Sequence, residues 1–342
     1  MNWRYKLQPA PGGSTGSLQL VYEPCPEPVP GPGDIVVGVS ARSLNYRDLL
    51  MLRGQSASSA GGGVVPLSDG AGTVVAVGDG VTEFAVGDRV TGCFFRDWQD
   101  GPFDLAYHSA ARGGSCDGML AGSVVGPVGA FVPTPAHLSD EEAACLPCAA
   151  LTAWHALFER GDLQPGQSVL ALGTGGVSMW ALQLATAAGA RVIVTSRSAE
   201  KLERARAWGA WETVDTAEWP DWAARVWDLT GKRGVDHVIE VGGPGTLGQS
   251  MRAVAAGGHI ALIGVLSGFG APDASLFPLV ARNVDLHGIY VGSRAMFTRM
   301  NAFLAAHQLR PVMDRSFSVG EIEEAYAWLE SGRHLGKITV TG

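Results

Sequence analysis

Residues 168–185 read SVLALGTGGVSMWALQLA, and the reading of this stretch decides the fold. An apolar strand at 168–173 runs without a break into Gly173, Thr174, Gly175, Gly176, Val177 and Ser178, and an apolar helix follows at 179–190. Glycines at such a turn leave bare backbone. A diphosphate can then approach the helix N-terminus, where unpaired N–H groups and the helix dipole favour negative charge. The last glycine of the usual spacing is replaced by Ser178, a residue small enough for close helix packing. Alone, a glycine-rich turn is a weak signal, compatible with a plain tight turn or a methyltransferase-type nucleotide site. Its position after a strand and before a helix favours a dinucleotide site.

The flanking sequence continues the alternation. RVIVTS (191–196) is a strand and AEKLERARAWGA (199–210) a helix; a short strand at 212–215 and a helix around 219–230 follow. VDHVIEVGG (235–243) is a strand, GTLGQSMRAVAAGG (245–258) a helix, HIALIGVLSG (259–268) a strand and VDLHGIYVGS (284–293) the last strand. Strands separated by helices pair in parallel through right-handed crossovers, which predicts an α/β, doubly wound (Rossmann) sheet. Upstream, SDEEAACLPCAALTAWHALFERG (139–161) opens on an N-cap pattern at Ser139 and reads as helical throughout. Residues before about 135 are β-rich: IVVGVS (35–40), GTVVAVG (72–78) and GDRVTGCFF (87–95) are separated by Gly, Pro and Asp turns. One short helix is expected at 45–52, a loop at 53–65, and a second loop at 96–116 rich in Trp, Phe, Tyr and Gly. Two helices and a terminal strand, KITVT, are expected to return to the first domain.

At the end of the second strand of this series, a site for NAD carries Asp or Glu to bind the ribose hydroxyls. Here the chain has Thr195, Ser196, Arg197 and Ser198, with Lys201 one turn later. A carboxylate repels a 2′-phosphate, whereas a hydroxyl, a guanidinium and an ammonium bind it, so NADP(H) is the expected cofactor. The bland alternative is that Arg197 and Lys201 are a solvated helix start.

The composition agrees with a globular enzyme. The 342 residues suit two domains, and 46% hydrophobic against 17% charged residues provide real cores. A formal charge of -8, with no Lys/Arg cluster, argues against nucleic acid. No apolar run reaches membrane-spanning length, and the first residues carry no signal-like apolar core. Five scattered cysteines are expected to be reduced thiols, so a cytoplasmic protein is the default reading.

Over essentially its whole length the chain resembles the medium-chain dehydrogenase/reductase superfamily, in its zinc-independent, quinone-oxidoreductase-like (zinc-type alcohol dehydrogenase-like) branch. The segments that carry the resemblance are SLNYRDLLMLRG (43–54), PLSDGAGTVVAVGDGVTEFAVGDRV (66–90), AACLPCAALTAWHAL (143–157), LGTGGVS (172–178) and GKITV (336–340). The resemblance implies a β-rich GroES-like catalytic domain at 1–149, a Rossmann NADP-binding domain at 150–295 and a C-terminal return at 296–342. It also implies a homodimer paired through the last sheet strand.

Zinc-using relatives carry a Cys, a His and a Cys as ligands, sometimes with a Glu. Motif by motif, the first Cys falls on Asn45, the His on Ser68 and the Glu on Asp69, while the last Cys is retained as Cys148. One thiol and one carboxylate fall short of the three protein ligands a catalytic zinc needs, so no metal is expected. Without that Lewis acid, an isolated carbonyl is a poor hydride acceptor. A quinone or enone instead spreads the incoming charge over its own π-system and leaves an enolate that hydrogen-bond donors can support.

Tyr46 and Asn45 are the candidate catalytic residues: the resemblance sets LNYRD beside the nicotinamide, where the Tyr46 phenol can support an enolate. Against this, Asn45 and Asp48 also form a helix-start pattern, and Tyr46 can simply pack. By the same resemblance Thr152, Gly242, Ile263, Gly264, Val265, Tyr290 and Val291 line the cofactor, and Lys337 binds its pyrophosphate or is a surface lysine. The aromatic set Phe94, Phe95, Trp98, Phe103 and Tyr107 either walls an apolar substrate pocket or covers its own domain's core. The expectation is thus an NADPH-dependent reductase of a small apolar quinone or α,β-unsaturated carbonyl. An alcohol or aldehyde dehydrogenase and a non-enzymatic NADPH-binding protein are the alternatives.

Overall fold

The computed structural model describes residues 2–10, 18–55 and 63–342. The loop expected at 53–65 falls largely on 56–62, outside the described residues. The chain forms two compact units, Met1–Leu151 with Gly292–Gly342, and Thr152–Val291, so the junctions lie a few residues from the expected 149/150 and 295/296.

The second unit is the doubly wound sheet. Its strands are β1 (Ser168–Leu172), β2 (Arg191–Ser196), β3 (Glu212–Asp215), β4 (Val235–Glu240), β5 (Val254–Leu262) and β6 (Asp285–Gly288). They pair in the order β3-β2-β1-β4-β5-β6, every neighbour parallel. Strands buried on both faces read as near-continuous apolar runs, as β1 does. β4 is also buried throughout, but carries Asp236, His237 and Glu240, the two carboxylates being hydrogen-bonded within the fold. The crossover helices are α1 (Gly176–Ala187), α2 (Ala199–Ala207), α3 (Trp222–Leu229) and α4 (Pro244–Ala253). Leu170, Ile193, Val238 and Ile260 from the sheet pack with Trp222, Val226, Leu247 and Met251 from α3 and α4. The strand order reverses between β1 and β4, the point where such sheets open at their carboxyl ends to admit a cofactor.

Four expected boundaries move. The helix expected at 245–258 stops at Ala253, because Val254 pairs with β4, as the chain does again from His259, and Gly257 takes φ +68°. The strand expected at 259–268 therefore begins earlier and ends at Leu262. The last strand shrinks to four residues, with Val291 turned into the left-handed region at φ +53°. Residues 139–161 are helical in short pieces: an α-turn at Asp140–Ala143, π-helical turns at Leu146–Ala150 and His155–Arg160, and Leu151–Trp154 between them.

The first unit is built around the long strand Asp34–Leu44. It pairs antiparallel with Asp69–Val77, with Ser123–Pro127 and with the terminal strand Lys337–Thr341. Arg89–Gly92, Phe131–Pro133 and Met313–Ser318 complete a seven-stranded sheet, and Asn2–Pro9 pairs with Leu18–Cys25 in a separate ribbon. The short helix Tyr46–Leu52 follows directly on the long strand, with Asn45 at its N-cap. Phe94, Phe95 and Trp98 are buried and stack edge-to-face on one another or on Phe103, so this part of the aromatic set covers its own unit's core.

Candidate functional site

In the sheet unit, β1 ends at the glycine turn. Gly173 adopts φ +74°, and a Cβ placed on Gly173 or Gly175 would meet nothing within 4 Å. The turn is therefore held open by the lack of side chains. Helix α1 begins after Gly175 with no side-chain cap, which leaves its first-turn N–H groups to an outside acceptor. Ser178, the departure from the glycine pattern, turns its hydroxyl back onto the Leu172 carbonyl at 2.6 Å and stays buried. Thr195 at the end of β2 accepts the Gly173 amide at 3.2 Å, which fixes the turn against the second strand. Thr174 is buried beside it. These residues fit a dinucleotide's diphosphate.

Beyond β2, Ser196 Oγ accepts the Ser198 amide at 3.2 Å, and the Ser198 hydroxyl caps α2 by accepting the Lys201 amide. The Arg197 side chain projects to solvent. No carboxylate stands at the end of this strand.

At the other expected contacts, local structure already claims several groups. The buried Glu240 carboxylate accepts the amides of Gly242 (2.8 Å) and Gly243 (3.0 Å) and the Thr246 hydroxyl (2.5 Å), and Ser250 also donates to it. It thereby caps α4. Gly264 must be glycine because a Cβ would lie 1.9 Å from the Val241 carbonyl oxygen. Ile263 and Gly264 both donate to the Glu240 carbonyl, and Val265 follows them beyond the end of β5. Gly242 and Gly264 are thus explained by packing alone, whatever else they do. Thr152 is buried, Tyr290 is exposed, and Val291 is buried with its carbonyl accepting from His155 Nδ1 at 2.8 Å.

The barrel unit gathers a second group. Strand register sets Ser43 opposite Asp69 and Ile338 opposite Leu44, so the first residue of the terminal strand lies at the end of the long one. There Lys337, 3% exposed, donates from Nζ to the Leu44 carbonyl (2.8 Å) and to Asn45 Oδ1 (2.6 Å), and lies 3.5 Å from Asp69 Oδ2. The fully buried Asp69 carboxylate also accepts from the Ser68 hydroxyl (2.7 Å), the Ser43 hydroxyl (3.3 Å) and the Cys148 amide (3.3 Å). Asn45 Nδ2 is buried and has no acceptor among the described residues.

Lys337 is not a surface lysine: its ammonium is buried and bonded to Leu44 and Asn45 beside Asp69. Tyr46, for which packing is the alternative to a place beside the nicotinamide, packs against the apolar cluster of Leu44, Leu49, Ile322 and Tyr326, within reach of the Arg53 guanidinium.

This group does not fit a zinc centre. Burial, and then the charge of Asp69, push the Cys148 thiol up to about 12, and the carboxylate beside it already faces an ammonium. Asn45 and Ser68 offer only a neutral amide and a hydroxyl. Among the described residues, no three His, Cys, Asp or Glu side chains gather as a metal-holding group.

One cluster escaped the sequence reading. His237, His259 and His287 stand side by side on β4, β5 and β6, with ring centroids 5.7 and 5.2 Å apart. Burial, and then its two histidine neighbours, lower His259 to about 4. Residue spacings of this size give no local signal; parallel register sets His237 opposite His259, and His287 two residues beyond Asp285, the partner of His259.

Comparison with known proteins places this geometry. Residues 31–136 match the alcohol dehydrogenase GroES-like domain, and residues 176–306 match the zinc-binding dehydrogenase domain. The zinc-type alcohol dehydrogenase-like protein C1773.06c of Schizosaccharomyces pombe is 44% identical over 90% of this chain and 91% of its own. A Sinorhizobium meliloti 1021 structure, provisionally named an alcohol dehydrogenase, is 41% identical with a TM-score of 0.91, covering 100% of this chain and 98% of that one. The quinone oxidoreductase of Pseudomonas syringae pv. Tomato DC3000 is 28% identical with a TM-score of 0.82 over 100% of both chains. A glycine cradle opening a doubly wound sheet, carried in one chain with a GroES-like barrel, defines an oxidoreductase that uses a nicotinamide cofactor. The chain belongs to the medium-chain dehydrogenase/reductase superfamily, in its quinone-oxidoreductase-like branch.

Proposed function

We propose that this protein is an NADPH-dependent, zinc-independent reductase of quinones or α,β-unsaturated carbonyls. The observation that carries this reading is the buried Lys337 ammonium at Asp69, beside Asn45 and Ser68, where zinc-using relatives gather metal ligands. NADPH, when bound, would supply a hydride to a carbon of the acceptor, the balancing proton would come from water, and NADP+ would be the co-product. Conjugated acceptors suit a site without a strong Lewis acid because the oxygen bears only the delocalised charge of an enolate. The similarity to a quinone oxidoreductase supports the same substrate class.

In this reading residues 173–177 hold the diphosphate, and Ser196, Arg197 and Lys201 hold the 2′-phosphate. Thr152, Tyr290 and Val291 flank the nicotinamide, and Gly242 with residues 263–265 shape the floor at the strand ends. Asn45 serves the acceptor oxygen; Tyr46, turned into the apolar cluster, is the weaker candidate. The five free cysteines suit the cytoplasm. A homodimer is supported by the edge strand β6 and by exposed Leu276, Phe277 and Val280 just before it. No helix among the described residues is long and apolar enough to cross a membrane.

The deciding experiment follows NADPH and NADH oxidation against panels of quinones, enones and aldehydes, with metal content measured on the same sample. NADPH-driven turnover of a quinone or enone with substoichiometric zinc is expected. Stoichiometric zinc, with simple alcohols oxidised as fast as any quinone is reduced, would return the protein to the alcohol dehydrogenases.

A further inference from the structure

We propose that Lys337 is the resident cation of the barrel-unit cluster, a positioning residue that makes Asn45 a one-way hydrogen-bond donor to the oxygen of the acceptor. The argument rests on what each group is able to offer. An ammonium has three donors and no acceptor. Lys337 donates to the Leu44 carbonyl and to Asn45 Oδ1, with the Asp69 carboxylate 3.5 Å away, so its place is held from three sides. A carboxamide facing an ammonium must present its oxygen; the reverse orientation sets N–H against N–H. Lys337 therefore dictates the Asn45 rotamer and turns Nδ2 to the opposite side.

Nδ2 is where the second observation lies: it is buried and has no acceptor among the described residues. Buried polar groups are almost always paired, and an exception in a native fold calls for a ligand, an ion or a function. An amide N–H whose own oxygen is bonded to a cation is also polarised, which strengthens it as a donor. A fixed, polarised donor awaiting an oxygen is what stabilises charge as it develops on an enolate. In relatives with zinc that task falls to a metal cation. Here the cation is an amino-acid side chain, acting through the amide.

This inference rests on the reductase reading above but assigns Lys337 to the acceptor side of the reaction, not to the cofactor's phosphates. Three variants test it: Lys337→Met, Asn45→Asp, and the paired Lys337→Met/Asp69→Asn. Asn45→Asp keeps an oxygen for Lys337 and a good helix N-cap, but deletes the donor. The paired variant removes ammonium and carboxylate together, and serves if Lys337→Met alone does not fold.

NADPH affinity, titrated by nicotinamide fluorescence, is expected to stay within about threefold of wild type in all three. The kcat for any acceptor the wild type reduces is expected to fall by about tenfold or more, with KM for NADPH unchanged. A loss of NADPH affinity of about tenfold or more in Lys337→Met would overturn the assignment and return the ammonium to the cofactor. Full kcat in Asn45→Asp would equally overturn it. If the wild type reduces no acceptor, the reductase reading fails by itself, and the NADPH titration still decides on which side Lys337 acts.

Discussion

His155 Nδ1 lies 2.8 Å from the carbonyl oxygen of Val291, a β-branched residue held at φ +53°. The carbonyl only accepts, so Nδ1 carries the proton. Burial lowers the imidazole's pKa and keeps it neutral, while this bond acts in the opposite sense. A left-handed valine costs on the order of 1–3 kcal/mol and persists only where its surroundings impose it. His155→Phe is expected to lower stability by about 1–3 kcal/mol, by stranding a buried carbonyl. In Val291→Gly, relief of strain offsets the lost isopropyl group, and stability should change by less than about 1 kcal/mol. Urea unfolding checks both; a large loss in Val291→Gly would mean that the strain is absent.

Gly175→Val tests the cradle directly. The residue sits at φ -77° with no atom near its Cβ position, so valine fits the apo fold. As a poorer N-cap it should cost no more than about 1 kcal/mol. Its side chain fills the approach to the helix N-terminus, and calorimetry should show NADPH affinity falling by about a hundredfold. Unchanged affinity would move the cofactor elsewhere.

Arg197→Glu addresses cofactor choice. The substitution places a carboxylate where the 2′-phosphate is proposed to lie, replacing an attraction with a repulsion. The ratio of kcat/KM for NADPH over NADH should drop by about a hundredfold, the equivalent of one or two charge-assisted hydrogen bonds. A ratio that does not move would leave Arg197 a solvated helix start.

Two buried groups set opposing pH dependences. Burial raises the Asp48 carboxyl to about 6, so between about pH 4 and 6 the folded chain holds a proton the unfolded chain has lost. Its contribution therefore falls as pH rises through that window, by about 3 kcal/mol in all. His259 runs the other way. Lowered from 6.5 to about 4, it stays neutral in the fold, so stability is lost as pH falls through that range. Denaturation midpoints across the window should show Asp48→Asn removing the first slope and His259→Phe the second.

The dimer reading predicts that Val280→Asp yields monomers. Val280 is 73% exposed, so a charge there should leave the folded protomer intact. Sedimentation velocity distinguishes a loss of association from a loss of fold; dimers that persist would place the interface on another face.

The sequence carried the sheet unit well because its signals are local. The strand, glycine turn and helix at 168–185 are contiguous, and each piece confirms the next. Errors arose where apolar runs suit either period: VAAGG at 254–258 extends a helical pattern on paper, but Val254 pairs with β4 and Gly257 turns to φ +68°. The cluster around Asp69 was legible only as a set of absent ligands. Its positive content, a lysine joined to Asn45, depends on antiparallel register between strands nearly 300 residues apart. The two readings of Tyr46 stayed open in the sequence for a related reason. A residue at the first turn of a short helix can face either the polar or the apolar side, and the Leu44, Leu49 and Tyr326 cluster decides it.

The closure of Lys337 onto Asn45 spans 292 residues, and the whole of Thr152–Val291 lies between them. On the ribosome, the sheet unit can therefore complete its pairing while the barrel still waits for its terminal strand. During that interval Asp69 lacks the Lys337 ammonium and the long strand is bare along one edge from Ala41 to Leu44. A nascent chain stalled before Lys337 would offer chaperones and proteases its barrel, with the nucleotide-binding half already made.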